Sequence, residues 1–404
     1  MGQRSPGRRV GRSSPAGALL ALALALVACG AGAPAGSPIK VGLVAPLSGP
    51  SGASGEAIRR GMELAVDEIN AAGGVLGRPL AIVARDVPND PPAGVAAMRE
   101  LAEREHIVAV FGGIWGTVVV AQVPVLAELR LPLIDAWASV PAITRNGLQP
   151  NYAFRVSASD DSADDFLSRY AVEVVGARRP GLLMAETIWG DANLDGLKQE
   201  LGRLGVEPAG VERFDQGDTD LRQPLERLRA AGADALIVVP DAGDGGSIVR
   251  AMAALGWKVP VVSHWGISGG AFLERAGVEN ADGVLTLQTF SFFGDQSPQA
   301  AAVLQAYNQR YGTRRVEEIP AQVGVAHGYD GMQLLARAIR QAGTVDGPAV
   351  RDALENLDPY DGLVKRYAPA FTPTDHDALH ADDYLMAVWR GGRLVPAERS
   401  RIGP

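Results

Sequence analysis

Ile39-Lys-Val-Gly-Leu-Val-Ala45, closed by Pro46, leads into Gly61-Met-Glu-Leu-Ala-Val-Asp-Glu-Ile-Asn-Ala-Ala-Gly-Gly74. The first stretch is aliphatic and rich in valine and isoleucine, and it reads as a strand. The second lies within Glu56–Ala72, where Ile58, Met62, Ala65, Val66 and Ile69 recur at helical spacing. Arg59, Arg60, Glu63, Asp67 and Glu68 fall on the opposite face. Gly73-Gly74 ends the helix as a C-terminal glycine signal does. A short apolar strand running into an amphipathic helix opens a parallel βαβ unit.

Working outward, the alternation continues. Leu80–Ala84, Ile107–Phe111 and Leu131–Ile134 read as strands, with helices predicted over Gly94–Arg104 and Val118–Leu129. After Asp160 the pattern restarts. Gly181–Ala185, Val206–Arg213, Ala235–Val239 and Val259–Ser263 are predicted strands. Asn193–Leu204, Leu221–Ala230 and Ser247–Leu255 are the helices between them. Helices over Gln299–Tyr311, Gln322–Ala342 and Gly347–Asn356 follow, then a strand pair at Tyr384–Trp389 and Arg393–Val395. The fold class is therefore α/β, with two Rossmann-like lobes built on parallel-dominated sheets.

Composition excludes several classes. With 404 residues, 47% hydrophobic and 21% charged, the chain is neither a disordered tail nor a polytopic membrane protein. A formal net charge of -8 argues against nucleic acid as a partner. One cysteine excludes an intramolecular disulfide and a cysteine-clustered zinc site. No Walker-type G-x-x-x-x-G-K-[ST] occurs, so the chain is not an ATPase subunit of that kind.

The N-terminus reads as an export signal. Arg4, Arg8, Arg9 and Arg12 precede an apolar run from Ala16 to Ala28, which is too short to span a bilayer. Leu26-Val27-Ala28-Cys29 then resembles the bacterial lipobox, in which cleavage before the cysteine is followed by its lipidation. Residues 1–28 are thus the expected signal peptide and 29–37 a lipid-anchored linker. Cleavage there removes four arginines and no acid, taking the formal charge from -8 to -12. The expected location is the cell envelope or periplasm, with the membrane engaged only through that lipid.

In open parallel sheets ligands bind beyond the carboxyl ends of the strands, where helix N-termini leave amides unpaired. Phe111-Gly-Gly-Ile-Trp115-Gly116-Thr117 is such a loop, with Gly116 admitting a carboxylate and Thr117 adding a hydroxyl donor. Asp135-Ala-Trp137-Ala138-Ser139 is a second. Thr117 and Ser139 also suit plain helix N-caps. Trp115, Trp137, Trp189 and Trp265 all fall just past predicted strands, which points to an aromatic pocket for a ligand with an apolar or planar body. A tryptophan on such a wall faces water while the cleft is open. Ser54 and His264 complete the candidate ligand-binding set.

The opening segments, together with Leu131-Pro-Leu-Ile134, Trp189-Gly190 and Phe371-Thr-Pro-Thr-Asp-His-Asp377, resemble the branched-chain amino-acid-binding proteins. These are type I periplasmic binding proteins that serve ABC importers. The resemblance covers about residues 38 to 398. It implies two lobes joined by a three-crossing hinge, with lobe I over 38–157 plus 290–362 and lobe II over 158–289 plus 363–404. It further implies a monomer that needs no cofactor or metal, captures a small-molecule ligand between the lobes, and meets an ABC importer permease. By resemblance, Trp137 and Ser139 fall where these proteins hold the ligand's α-carboxylate and α-ammonium. An acid of lobe II usually pairs with the ammonium, but Ser263-His264-Trp265-Gly266 offers tryptophan there. Asp241 or Asp191 can supply that charge; otherwise the ligand lacks an ammonium, as an aromatic carboxylate does. A sensory module of the same fold is the alternative from another class.

Two further patterns carry less. Gly266-Ile-Ser268-Gly-Gly270 matches G-x-S-x-G, and Asp330 and His376 follow in triad order. Such motifs arise by chance in a chain with 49 glycines. His376 and His380 have i,i+4 spacing, but Pro373 and the neighbouring aspartates read as a solvated turn rather than a metal-bearing helix.

Overall fold

The computed structural model describes Gly2 and residues 36–402. Cys29, the predicted signal peptide and most of the linker lie outside the described residues.

The first half of the chain forms β1 (Ile39–Ala45), α1 (Gly52–Ala71), β2 (Leu80–Asp86), α2 (Pro91–Glu100), β3 (Val110–Gly112), α3 (Gly116–Leu129), β4 (Leu133–Asp135) and β5 (Ala153–Arg155). Its five strands are all parallel, in the order β2-β1-β3-β4-β5. A second series follows: α4 (Asp160–Arg169), β6 (Pro180–Ala185), α5 (Ile188–Arg203), β7 (Gly210–Phe214), α6 (Arg222–Ala230), β8 (Ala235–Val239), α7 (Ala242–Ala254) and β9 (Val261–Ser263). It ends with α8 (Phe272–Ala276), α9 (Val278–Ala281) and β10 (Leu285–Gln288). The chain then returns to pack α10 (Pro298–Tyr311) and α11 (Gln322–Ala342) on α1, with α12 (Gly347–Leu354) beside α11. Hairpin β11 (Tyr360–Asp361)–β12 (Arg366–Tyr367) follows, and β13 (Leu385–Arg390) and β14 (Arg393–Pro396) close the second sheet. That sheet runs β14-β13-β10-β9-β8-β6-β7, antiparallel only at β13 and β14.

The α1 reading holds, because Ile58, Met62, Ala65, Val66 and Ile69 are buried. Full burial of a large aliphatic side chain is worth roughly 1.5–3 kcal/mol. Crossing with α11 is close because each helix offers a glycine. A Cβ on Gly61 would stand 2.1 Å from the Val325 carbonyl oxygen, and one on Gly328 would stand 2.2 Å from that of Ile58. The helix begins at Gly52 rather than Glu56, since the small residues ahead of Glu56 let its first turn sit against Pro46 and Leu47. β7 begins at Gly210 rather than Val206, because the Val206 amide closes the end of α5 on the Leu201 carbonyl and Pro208 follows. Strands β5 and β10 escape the sequence pattern, because Arg155 in the one and Thr286 and Gln288 in the other are polar residues buried only by the fold.

Three segments pass between the sheets: β5 to α4, β10 to α10, and the stretch after Phe371. The first and third are joined at Arg155, whose amide donates to the His376 carbonyl (2.9 Å) while its own carbonyl accepts from Ala378 (2.9 Å). Its buried guanidinium donates to Asp377 (2.8 Å), the Val140 carbonyl (3.0 Å) and Thr144 (2.9 Å). Leu363 and Val364 donate their amides to Asp330 on α11, so hairpin β11–β12 packs with α11.

Candidate functional site

The carboxyl ends of both sheets face one cavity of about 710 Å³, counted out to its open mouth. Ten of the eleven ligand-binding residues expected from sequence line it: Ser54, Trp115, Gly116, Thr117, Trp137, Ala138, Ser139, Trp189, Asp241 and Trp265. His264 does not; it is fully buried behind the wall.

Trp115 is the N-cap of α3 and gives it no side-chain cap. The Gly116 and Thr117 amides therefore open onto the cavity with no acceptor among the described residues. Glycine at 116 has a packing reason, since a Cβ there would meet Val140 at 2.6 Å. The Thr117 hydroxyl donates to Asn89 Oδ1 at 2.6 Å, so its one proton points along the wall. Asp135 shapes the next loop by accepting from the amides of Trp137 (3.3 Å) and Ala138 (3.1 Å). Burial pushes its carboxyl up to about 7 despite the Arg155 charge. The Ser139 hydroxyl has no hydrogen-bond partner among the described residues.

The second sheet supplies aromatic surface and an acid. Trp265 is buried against Trp137 across the cavity, with ring centroids 5.5 Å apart. Trp189 is half-buried, and its indole N–H donates to Asp160 at 3.0 Å. His264 accepts the Trp265 amide on Nδ1 (2.9 Å), so its proton is on Nε2, 3.2 Å from Asp160 but poorly aligned for a hydrogen bond. Asp160 in turn donates its amide to the Ser139 carbonyl (2.9 Å), tying the two walls together. Asp241 is half-buried at the cavity wall, accepts from Gln216, and is pushed up to about 6 by its packed surroundings. Asp191 instead pairs with Arg213 at 2.6 Å on the surface.

Asn89, Ile188 and Gln216 also line the cavity and were missed. Asn89 and Gln216 follow the carboxyl ends of β2 and β7, so the strand-end rule that finds Trp115 reaches them when applied to every strand.

The Ser268, Asp330 and His376 side chains belong to separate networks. Ser268 donates to the Trp265 carbonyl and accepts from Gln288. Asp330 holds the 363–364 amides and the Tyr367 hydroxyl, while His376 bonds Glu355 (2.9 Å) and the Ala153 carbonyl (2.8 Å). His380 is exposed, 3.6 Å from Asp375. No group of three or more His, Cys, Asp or Glu is placed to hold a metal among the described residues.

Two α/β lobes connected by three passages, with a polar and aromatic cavity between their strand ends, define a ligand-capturing clamp. The chain belongs to the periplasmic binding protein family, whose model matches residues 38–393. It is 25% identical over 361 residues to a Leu/Ile/Val-binding protein homolog of Brucella melitensis, covering 89% of this chain and 94% of that one. A type 1 periplasmic binding protein of Bordetella pertussis matches with a TM-score of 0.81 and 26% identity, over 89% of this chain and all of that one. A Rhodopseudomonas palustris ABC-transporter solute-binding protein, solved with 4-hydroxybenzoate, matches with a TM-score of 0.78 and 20% identity, over 91% and 98% of the two chains. These relatives are solute-binding proteins rather than enzymes. Among the described residues no helix is long and apolar enough to cross a membrane.

Proposed function

We propose that this protein is the extracytoplasmic receptor of an ABC importer and captures a small carboxylate with a hydrophobic or planar body. The carrying observation is the cavity in which the unpaired Gly116 and Thr117 amides and the free Ser139 hydroxyl stand among four tryptophans, two on each wall. Unpaired amides at a helix N-terminus favour an anion, and tryptophan faces favour an apolar or planar remainder. Leucine, isoleucine and valine, after which one relative is named, and the 4-hydroxybenzoate bound by another both satisfy that description.

The jaws are residues 38–157 with 290–371, and 158–289 with 372–402; the boundary moves from the expected 362/363 because hairpin β11–β12 packs on α11. Ligand contacting both jaws shifts the hinge equilibrium toward closure, and the closed form is what the permease meets. The deciding experiment is a thermal-shift screen over amino acids, aromatic acids and their amides. Stabilisation by a carboxylate but not by its amide is expected. Equal stabilisation by both removes the carboxylate assignment.

Attachment through lipid at Cys29 belongs to the same proposal. Cys29→Ser should move the protein from the detergent-extracted membrane fraction to the soluble fraction or to unprocessed precursor. Unchanged lipid labelling in that variant overturns the anchor.

A further inference from the structure

His327 on α11 is fully buried, and its two ring nitrogens serve different parts of the chain. Nδ1 stands 2.9 Å from the Ala136 carbonyl oxygen, which can only accept, so Nδ1 carries the proton. Nε2 stands 2.8 Å from Thr289 Oγ1. Burial holds the imidazole down at about 4, so the ring is neutral and Nε2 accepts the Thr289 proton. The same ring packs against Trp265, with centroids 5.7 Å apart. Ala136 heads the loop that carries Trp137, Ala138 and Ser139, while Thr289 opens the passage from β10 to α10. His327 itself does not line the cavity.

We propose that His327 is a positioning residue that holds the Ala136–Ser139 loop and the Thr289 passage in one register, so that cavity wall and hinge respond together. The proposal rests on the reading of the cavity as the ligand site. Its physical basis is a rigid ring on a helix that is locked against α1 by the Gly61 and Gly328 crossing. Both hydrogen bonds lie in dry surroundings, where a lost partner leaves a buried oxygen unpaired. Neither bond depends on ionisation near neutral pH.

Two substitutions separate the bonds. His327→Asn keeps an N–H at the Nδ1 position and loses the acceptor for Thr289. His327→Gln keeps a polar atom near Nε2 and loses the donor to Ala136. Hydrogen–deuterium exchange is measured on the ligand-free chain. His327→Asn should speed exchange across 289–293 by about tenfold and leave 136–140 near wild type; His327→Gln should do the reverse. Thr289→Val, which leaves α11 untouched, should reproduce the Asn pattern. A merely structural role loosens both segments alike in all three variants, and that result, or no acceleration in any of them, overturns the proposal. A second arm adds 4-hydroxybenzoate or L-leucine to the wild type and expects protection of 137–140. With the probe that binds, affinity should fall about tenfold in His327→Gln and less than about threefold in His327→Asn. No protection by either probe overturns the cavity reading, and the ligand-free exchange pattern still decides the role of His327.

Discussion

The two walls of the cavity are made of different materials. The first-sheet wall carries Asn89, Trp115, Gly116, Thr117, Trp137 and Ser139, with no acid and no basic side chain. On the proposed reading, an anion there would meet amide dipoles and a hydroxyl at fixed positions. The second-sheet wall carries Trp189, Gln216, Asp241 and Trp265, and Asp241 is the one charged residue among all those lining the cavity. Without lysine or arginine, the proposed anion binding would depend on geometry rather than on a mobile point charge. On the proposed reading, the first wall selects by where the negative charge sits, and the second by shape and by what faces Asp241.

The largest expected effect lies on the second wall. Trp265 is 2% exposed and packs on Trp137 and His327, whereas Trp189 is half-buried. Trp265→Ala should lower the stability of the closed, ligand-bound form by about 3–5 kcal/mol in urea denaturation, the range for truncating a buried aromatic. Trp189→Ala should cost about 1–2 kcal/mol, as for a partly packed side chain. Equal costs break the distinction between the buried Trp265 and the half-buried Trp189.

On the first wall, Ser139→Ala should weaken binding of a carboxylate by about 1–3 kcal/mol, the range for a hydrogen bond to a charged group. Calorimetric titration reads it directly. Stability without ligand should barely change, because the hydroxyl has no protein partner to lose.

The pH dependence of binding then sharpens what the second wall selects. The packing around Asp241 disfavours its charged form and pushes its carboxyl up to about 6. It is mostly ionised at pH 7 and mostly protonated at pH 5. A ligand whose ammonium faces Asp241 should bind up to about tenfold more weakly at pH 5 than at pH 7. A carboxylate without an ammonium should bind more tightly at pH 5, since protonation removes a like charge. Asp241→Asn should flatten either trend, and a trend that persists in this variant shows that another group controls it.

Much of this molecule can be read from sequence, for reasons visible in particular residues. The β1–α1 opening is legible because its strand is short and apolar and its helix has a clean buried face. The tryptophans are legible because a bulky aromatic just past a strand has few places to go. β5 is not, since Ala153-Phe-Arg155 carries an arginine that is buried only because Asp377, more than two hundred positions away, returns beside it. His327 is equally silent: on α11 it reads as one more buried position, and only tertiary structure sets Ala136 and Thr289 at its two nitrogens.

Thr117 separates what sequence suggests from what geometry permits, and its predicted effect is the smallest. As a residue type at a helix start it offers a hydroxyl to a ligand anion, yet that proton is given to Asn89 at 2.6 Å. What it can give the anion is its backbone amide, which substitution by valine preserves. Thr117→Val should therefore change carboxylate affinity by less than about 1 kcal/mol, the scale of one ordinary net hydrogen bond. Thr117→Pro, tolerated in a first helical turn, removes the amide itself and should weaken binding more. Comparable losses in both variants mean that the hydroxyl turns from Asn89 to the ligand when it binds. The first wall then selects its anion with two hydroxyls, Thr117 and Ser139, rather than one.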